Sequence, residues 1–222
     1  HVDGIGTKGI FHWEQRSFRN AILDALAMNL NDLAMMRATP YALLDNLFLP
    51  EDDNDAILEL VKSLSEECKK RNIAITGGET AILNNVQGLE ISMNILGFVE
   101  KPKPNLLKEG DVLIGIESNG LHSNGFTRVR ELFDYKPEFI LPTNIYIDTI
   151  TRLERECDIH GMMHITGGAF TKLKELLPNA DAIITNEHSL EPKEIFWELY
   201  RKGISDEEMY KTFNCGIGFV LG

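Results

Sequence analysis

The spacing of hydrophobic residues predicts helices and strands that follow one another along the whole chain. Apolar residues recur at helical spacing after Ser17, a good helix N-cap, and the pattern stops before Pro40, which cannot continue a helix. In chain order the predicted elements are a helix at 17–38, a strand at 41–49, a helix at 52–71, strands at 73–76, 88–100 and 112–116, helices at 126–133, 142–153 and 170–177, a strand at 182–184, helices at 192–201 and 206–211, and a strand at 213–222.

A stiff, polar segment at 101–105 (Lys-Pro-Lys-Pro-Asn) divides this pattern into two parts. The sequence therefore predicts a mixed α/β (α+β) fold with an N-terminal domain at 1–104 and a C-terminal domain at 105–222. Because the chain opens inside a motif, we expect the first domain to be incomplete at its N-terminus. We expect the second to be incomplete at its C-terminus, where a strand is still running.

Each part contains a predicted strand followed directly by two glycines, at Gly77-Gly78 and at Gly167-Gly168. Ligand sites of α/β proteins commonly lie at the carboxyl ends of strands. We therefore expect both glycine pairs to be turns that face one cleft.

The charge balance limits the partners of the protein. The sequence has 22 basic and 34 acidic residues, a net charge of −12. This excludes nucleic acid and anionic membranes as main partners, since both need a basic face, and no apolar run is long enough to cross a bilayer. Cys68, Cys157 and Cys215 are widely spaced and predicted to be free thiols in a reducing compartment.

The first candidate site is Asp3-Gly4-Ile5-Gly6-Thr7-Lys8. Glycines allow a tight turn whose N–H groups can hold phosphate, Lys8 adds a positive charge, and the Asp3 carboxylate suits Mg²⁺. The spacing is not that of a Walker A loop, so from these residues alone an ordinary turn remains the simpler alternative.

Asp32, among apolar neighbours, is equally compatible with a metal ligand and with an exposed position.

Two further segments carry polar chemistry. Glu79 follows the first glycine pair and is a candidate metal ligand. The loop from Ser118 to Gly125, Ser-Asn-Gly-Leu-His-Ser-Asn-Gly, enters a predicted helix, and its hydroxyls, amides and imidazole suit a phosphate or a sugar.

Together these motifs resemble the phosphoribosylformylglycinamidine cyclo-ligase family, the aminoimidazole ribonucleotide synthetases of de novo purine biosynthesis. The resemblance covers nearly the whole chain, in the order Asp3–Lys8, Asn31-Asp32-Leu33, Gly77–Ala81, His122–Gly125, Thr166–Gly168 and Thr212–Gly216. It implies a cytoplasmic ligase that uses ATP and Mg²⁺ to cyclise formylglycinamidine ribonucleotide through a phosphorylated formyl oxygen. It also implies a homodimer in which two N-terminal sheets close a barrel.

The resemblance further implies a role for each matching residue. Asp3, Asp32 and Glu79 would hold the metal, and His122 and Lys8 would be catalytic. Nucleotide contacts would come from Asp3, Gly4, Gly6, Thr7, Lys8, Asn31, Gly77, Gly78 and Thr80, and substrate contacts from His122, Ser123, Asn124, Gly125, Thr166, Gly167 and Gly168.

The sequence departs from the family pattern at Ile82-Leu83-Asn84-Asn85 and at Ala169, which stands where a third glycine is usual. The alternative function is another ATP-dependent enzyme of the same superfamily, such as thiamine-monophosphate kinase or the formylglycinamide ribonucleotide amidotransferase, although Glu79 and His122–Gly125 resemble the cyclo-ligases more. A nucleotide-binding scaffold without catalysis is a further alternative, which the presence of all three carboxylates disfavours.

Overall fold

The computed structural model describes residues 1–185 and 187–222, and it has a mixed α/β fold built on two sheets. The strands are β1 (Val2–Gly4), β2 (Thr39–Leu49), β3 (Ala74–Ile82), β4 (Glu90–Phe98), β5 (Ile114–Glu117), β6 (Met162–His164) and β7 (Ile217–Leu221). The helices are α1 (Lys8–Glu14), α2 (Phe18–Met35), α3 (Asn54–Lys70), α4 (Phe126–Leu132), α5 (Ile147–Glu156), α6 (Glu194–Arg201) and α7 (Asp206–Thr212), with 3₁₀-helices at Pro137–Ile140 and Ala169–Leu176.

The first sheet has the strand order β1-β4-β2-β3. β4 pairs antiparallel with β1 and β2, whereas β2 and β3 are parallel and are connected through α3. A crossover helix is the usual connection between parallel neighbours. Asp53 caps α3, because its carboxylate accepts a hydrogen bond of 2.9 Å from the N–H of Ala56.

Helix α2 is the central element of the molecule. It packs on the first sheet and also contacts α5 and β6 of the C-terminal half. Buried residues lie all around it, including Ile22, Leu26 and Leu30, as expected of a helix enclosed by other elements. One hydrophobic core therefore runs from the first sheet through α2 to residues such as Ile150 and Phe219.

The face of the first sheet opposite α2 and α3 is open. Leu44, Leu96 and Phe98 are 39%, 39% and 46% exposed on it, with Tyr41 beside Phe98. β3 forms one edge of the sheet, and nearly all of its residues are exposed. The structure thus presents an apolar sheet face next to an unpaired strand edge.

The C-terminal half is built on the sheet β5-β7-β6, in which both pairs are antiparallel. An aromatic cluster of Phe126, Phe139, Phe196 and Phe213 packs beside it and receives Phe11 from α1. Within the described ranges, no helix has both the length and the apolar character needed to cross a membrane.

Two predictions about the fold are wrong, one element forms in a different helical geometry, and one helix was missed. Gly77 and Gly78 do not form a turn but lie inside β3, which continues to Ile82. No strand forms at 182–184, where Ile183 is 83% exposed and pairs with none of the described strands. The helix expected at 170–177 is a 3₁₀-helix, and α1 was not predicted at all.

Candidate functional site

A cavity of about 560 Å³ lies where β1 and α2 meet the C-terminal half. It brings together four of the predicted motifs, which are far apart in the sequence. Its walls are formed by His1, Asp3, Gly4, Gly6, Met28, Asp32, Ser123, Asn124, Thr166, Gly167 and Lys172. We treat this cavity as the candidate site.

The β1 segment supplies the first wall. Asp3 is held in place because Asn29 of α2 donates a hydrogen bond of 3.1 Å to its carbonyl oxygen. Gly4 allows a close approach to β4, since a Cβ there would lie 2.4 Å from the Ile91 carbonyl oxygen. Gly6 has a φ of +56°, a conformation that favours glycine. The chain can therefore turn into α1 beside the cavity.

Asp32 projects from α2 into the same cavity and is oriented by two histidines. His164 Nδ1 lies 3.0 Å from Asp32 Oδ1, and His1 Nε2 lies 2.9 Å from Oδ2. Burial alone would raise the pKa of the Asp32 carboxyl, but the hydrogen bonds from both histidines outweigh it and hold that pKa below its usual range. The site thus contains a carboxylate that is ionised at neutral pH.

Asn31, predicted to contact the nucleotide, is fully buried next to Asp32. Its amide oxygen accepts from the Tyr146 N–H at 2.7 Å, and its Nδ2 donates to the Asn144 carbonyl and to His164 Nε2. Because Nε2 accepts this bond, Nδ1 of His164 carries the proton that is donated to Asp32. Asn31 therefore orients His164, and its predicted contact with a nucleotide stays a prediction.

The loop at 122–125 enters the cavity from the C-terminal half. Ser123 Oγ donates to Asp24 at 2.8 Å, which fixes the loop against α2. Asn124 Nδ2 is buried and has no hydrogen-bond partner in the part of the chain that the structure describes. Gly125 has a φ of +77°, and a Cβ there would lie 2.2 Å from the Phe213 ring. This glycine is required by the turn and by the packing of Phe213.

Thr166 and Gly167 line the cavity immediately after β6, and Gly168 completes their turn with a φ of +83°. The N–H groups of Gly167 and Gly168 donate to no acceptor within residues 1–185 and 187–222. Lys172, in the following 3₁₀-helix, reaches back to place Nζ 3.1 Å from Thr166 Oγ1. This lysine was not among the predicted site residues.

Lys8, predicted to hold phosphate, is the first residue of α1 and is fully buried. Its ammonium forms an ion pair with Asp24 and donates to the carbonyl oxygens of His122 and Leu141. In this arrangement Lys8 supports the loop that carries Ser123 and Asn124 from beneath. The predicted phosphate contact and catalytic role of Lys8 stay predictions.

Asp24 of α2, which the sequence analysis did not single out, accepts several buried hydrogen bonds. Besides Lys8, it accepts from His12 Nε2 at 2.7 Å and from the N–H and Oγ1 of Thr143 at 2.7 and 2.6 Å. Burial alone would raise the pKa of the Asp24 carboxyl, but the charge of Lys8 and the bond from His12 hold it below its usual range. The carboxylate is therefore ionised inside the protein.

The His122 side chain does not line the cavity. It is buried at a φ of +60°, its ring lies near Tyr146, and neither ring nitrogen has a hydrogen-bond partner among the described residues. Burial lowers the pKa of the His122 imidazole to about 3, so the ring is neutral at pH 7. A catalytic role requires the ring to leave this position, and it stays a prediction.

Gly77, Gly78, Glu79 and Thr80 lie outside the cavity on the edge strand β3. Glu79 pairs with Asn46 on β2, Asn46 with Ser92 on β4, and Ser92 with Gly4 on β1. Three strand spacings separate the backbone of Glu79 from that of Gly4 by about 14 Å. Within one chain Glu79 therefore cannot share an ion with Asp3, and its metal role stays a prediction.

The cavity nevertheless has donors that suit Mg²⁺. No group of three or more His, Cys, Asp or Glu side chains that could hold a metal occurs in the described ranges. Mg²⁺ bound with a nucleotide needs only one or two carboxylates, because phosphates and water supply the other oxygens. Asp3 and Asp32 fit that requirement.

A second cavity, of about 500 Å³, adjoins the first through their common residue Gly6. Thr7, Phe48, Ser92 and Arg130 are among the residues that line it. Asn85, in one of the two segments that depart from the family pattern, also lies in its wall. The turn at Gly6 therefore borders two spaces that could each hold part of a ligand.

Comparison with known proteins gives matches over both halves of the chain. Residues 1–99 match the family described as AIR synthase related protein, N-terminal domain, and residues 108–221 match its C-terminal domain. The chain is 38% identical to phosphoribosylformylglycinamidine cyclo-ligase of Saccharolobus solfataricus, over 100% of this chain and 70% of that protein. It is 37% identical to the enzyme of the same name from Pyrococcus horikoshii, over 99% of this chain and 70% of that protein.

Solved structures share the fold at lower identity. Thiamine monophosphate kinase from Aquifex aeolicus superposes with a TM-score of 0.62 at 18% identity, over 92% of this chain and 72% of that one. The hydrogenase maturation protein HypE in complex with ATP superposes with a TM-score of 0.60 at 17% identity, over 90% of this chain and 62% of that one. At these identities the likeness concerns the fold alone.

Proposed function

The chain belongs to the AIR synthase related protein family, and we propose that it is an ATP-dependent cyclo-ligase that converts formylglycinamidine ribonucleotide to aminoimidazole ribonucleotide in purine biosynthesis. The observation that carries this proposal is the meeting of four motif segments at one cavity. Relatives that are more than a third identical over the whole chain have that activity in their names. The kinase alternative rests on structures that are at most 21% identical to this chain.

Ring closure forms a C–N bond and removes the formyl oxygen. Bound ATP with Mg²⁺ supplies the phosphoryl group that makes this oxygen a leaving group. An amidine nitrogen of the substrate then attacks the formyl carbon, the C–O bond breaks with release of phosphate, and the nitrogen loses a proton. The protein must therefore hold two anionic reactants in contact and keep water away from the activated carbon.

The cavity residues divide into two groups that suit this task. Asp3 and Asp32 lie on the N-terminal side, where they would hold Mg²⁺ together with nucleotide phosphates. Ser123, Asn124 and the turn at 166–168 lie on the C-terminal side, where they would hold the ribonucleotide. The adjoining cavity beyond Gly6 offers room for the nucleoside part of ATP.

A homodimer belongs to the same proposal. The open sheet face with Leu44, Leu96 and Phe98, next to the unpaired edge of β3, is suited to a second copy of the sheet. Closing a barrel with that copy would cover the apolar face and would place Glu79 of each chain at the interface. A cytoplasmic location is part of the proposal as well, supported by the free thiols of all three cysteines.

The test measures ADP release and product formation with different substrates. Purified protein, ATP and Mg²⁺ are combined with formylglycinamidine ribonucleotide, with thiamine monophosphate, or with formylglycinamide ribonucleotide plus glutamine. We expect ADP and aminoimidazole ribonucleotide in equal amounts with the first substrate alone. ADP release only with one of the other two would refute the proposal.

A further inference from the structure

Lys172 is the only lysine or arginine among the residues that line the candidate site, whose other charged groups include Asp3 and Asp32. It lies in the 3₁₀-helix Ala169–Leu176 and is half-buried. In a protein with a net charge of −12, Lys172 gives this part of the cavity wall a positive charge. Neither the motifs nor the resemblance to the cyclo-ligases assigned it a role.

The turn before this helix determines where the lysine points. Gly168 has a φ of +83°, and a Cβ there would lie 3.1 Å from Lys172 Cε and 3.3 Å from its Cγ. The Lys172 stem therefore runs across Gly168, in the space that a side chain would fill. This path brings Nζ to Thr166 Oγ1 at the cavity wall.

The charge of Lys172 is not neutralised by the protein. No carboxylate oxygen lies within 4.0 Å of Nζ in residues 1–185 and 187–222, and its hydrogen-bond partner, Thr166 Oγ1, is a neutral hydroxyl. An ammonium held only by a neutral acceptor keeps its capacity to bind an anion.

Other donors close to Lys172 in the fold also lack hydrogen-bond partners among the described residues. Asn124 Nδ2 is buried and has no acceptor among the described residues, and Asn124 Oδ1 lies 3.2 Å from the position of a Cβ on Gly167. The N–H groups of Gly167 and Gly168 are also free of protein acceptors in the described part of the chain. Adjacent free N–H groups beside a lysine form an anion-binding concavity.

We propose that Lys172 binds the phosphate group of the ribonucleotide substrate, together with Asn124 and the N–H groups of Gly167 and Gly168. The assignment of this phosphate to the ribonucleotide rests on the proposed function. All four residues belong to the C-terminal half, and Asp3 and Asp32, which would hold the Mg²⁺ of ATP, belong to the N-terminal half. Lys172 is therefore placed for the second anion rather than for the nucleotide.

The first experiment compares K172M, K172R and the control K174M, which removes an exposed lysine from the same helix. The Michaelis constants for ribonucleotide and for ATP are measured separately, with folding checked by circular dichroism. We expect K172M to raise the KM for the ribonucleotide by about 10- to 100-fold, the size of a lost charge-assisted hydrogen bond, and to leave the KM for ATP within about twofold. K172R should recover much of the loss, and K174M should behave like the unchanged protein.

A second experiment does not depend on turnover. Binding of ribose 5-phosphate is measured by titration calorimetry to the unchanged protein, K172M and K174M. We expect the affinity to fall about 10-fold or more in K172M alone. If the unchanged protein fails to close the ring but shows this pattern, the proposed function is wrong and the phosphate site stands.

Three results would overturn the inference. The first is an unchanged ribonucleotide KM in K172M, and the second is a rise in the KM for ATP instead, which would assign Lys172 to the nucleotide. The third is a failure of the unchanged protein to bind ribose 5-phosphate, or an affinity for it that is the same in the unchanged protein and in K172M.

Discussion

The ammonium of Lys8 and the carboxylate of Asp24 form a fully buried ion pair, with Nζ 2.8 Å from Oδ2. Both residues belong to the N-terminal half, and besides the contact of Asp24 with His12 their other hydrogen bonds go to the C-terminal half. Lys8 donates to the His122 carbonyl, and Asp24 accepts from Ser123 and Thr143. The pair thus joins the two halves at the loop that enters the candidate site.

Replacement of Asp24 by Asn should destabilise the protein strongly. The substitution leaves the Lys8 ammonium buried without a counter-charge, and breaking a buried pair in this way costs about 3–5 kcal/mol. Urea unfolding measures the loss, with Asp134→Asn, at an exposed position, as the matched control. The double variant Lys8→Met/Asp24→Asn should lose less than the sum of the two single variants. A loss under about 1 kcal/mol in Asp24→Asn would mean that the pair is not important for stability.

The buried His122 ring should make stability depend on pH. Its pKa in the fold, about 3, is lower than its ordinary value, so the fold favours the neutral ring. Such a group contributes stability above its unfolded pKa, and the contribution is lost as the pH falls towards the folded pKa. For an unfolded pKa of about 6.5, the loss from this group between pH 7 and pH 5 is about 2 kcal/mol.

His122→Asn tests this prediction, since asparagine does not titrate and tolerates a positive φ. Unfolding free energies at pH 7 and pH 5 should differ by about 2 kcal/mol less in the variant than in the unchanged protein. His188→Asn, which changes an exposed histidine, should leave the difference as it is. An identical pH dependence in His122→Asn would show that the ring is not buried in its neutral form.

Asp32→Asn should weaken Mg²⁺-dependent turnover while the protein still folds. The amide keeps an oxygen but removes the negative charge that would hold the ion. We expect at least about a tenfold rise in the Mg²⁺ concentration for half-maximal activity, from the loss of one charged ligand. Asp134→Asn is again the control. Wild-type activity of Asp32→Asn across a Mg²⁺ titration would remove Asp32 from the metal site.

Leu96→Glu should separate the proposed dimer. The new charge would lie in the middle of the apolar sheet face, where a partner would bury it at a cost of several kcal/mol. Light scattering at micromolar concentration should then give the mass of a single chain. Leu58→Glu, at an exposed leucine of α3, should leave the dimer intact. A single-chain mass for the unchanged protein would rule out the dimer.

The long helices and strands could be predicted from the sequence, but the end of β3 could not. α2, α3, β2 and β4 were predicted because each has an extended apolar pattern that only one kind of element explains. β3 was ended too early because Gly77-Gly78 was taken for a turn. In the fold Gly78 is needed inside the strand, where a Cβ would lie 2.5 Å from Asp45 Oδ1.

In the candidate site, too, some residues could be predicted from the sequence and others could not. Motif residues such as Asp3, Asp32, Asn124 and Thr166 were recognised, and the fold brings them to one cavity. Asp24, His164 and Lys172 were missed because their roles come from contacts with residues distant in the sequence or across a turn. Asp24 could have been found from its position, because it lies on the apolar side of the predicted helix and a buried carboxylate needs partners.

The contacts of Asp24 have a consequence for synthesis of the protein on the ribosome. Thr143, which donates two of its hydrogen bonds, follows it by 119 residues. At roughly 5–20 residues per second, Asp24 is added to the chain about 6–24 s before Thr143. During that interval Lys8 and Asp24 lack their hydrogen-bond partners from the C-terminal half. The candidate site and the buried ion pair of Lys8 and Asp24 are therefore completed by the same later segments of the chain.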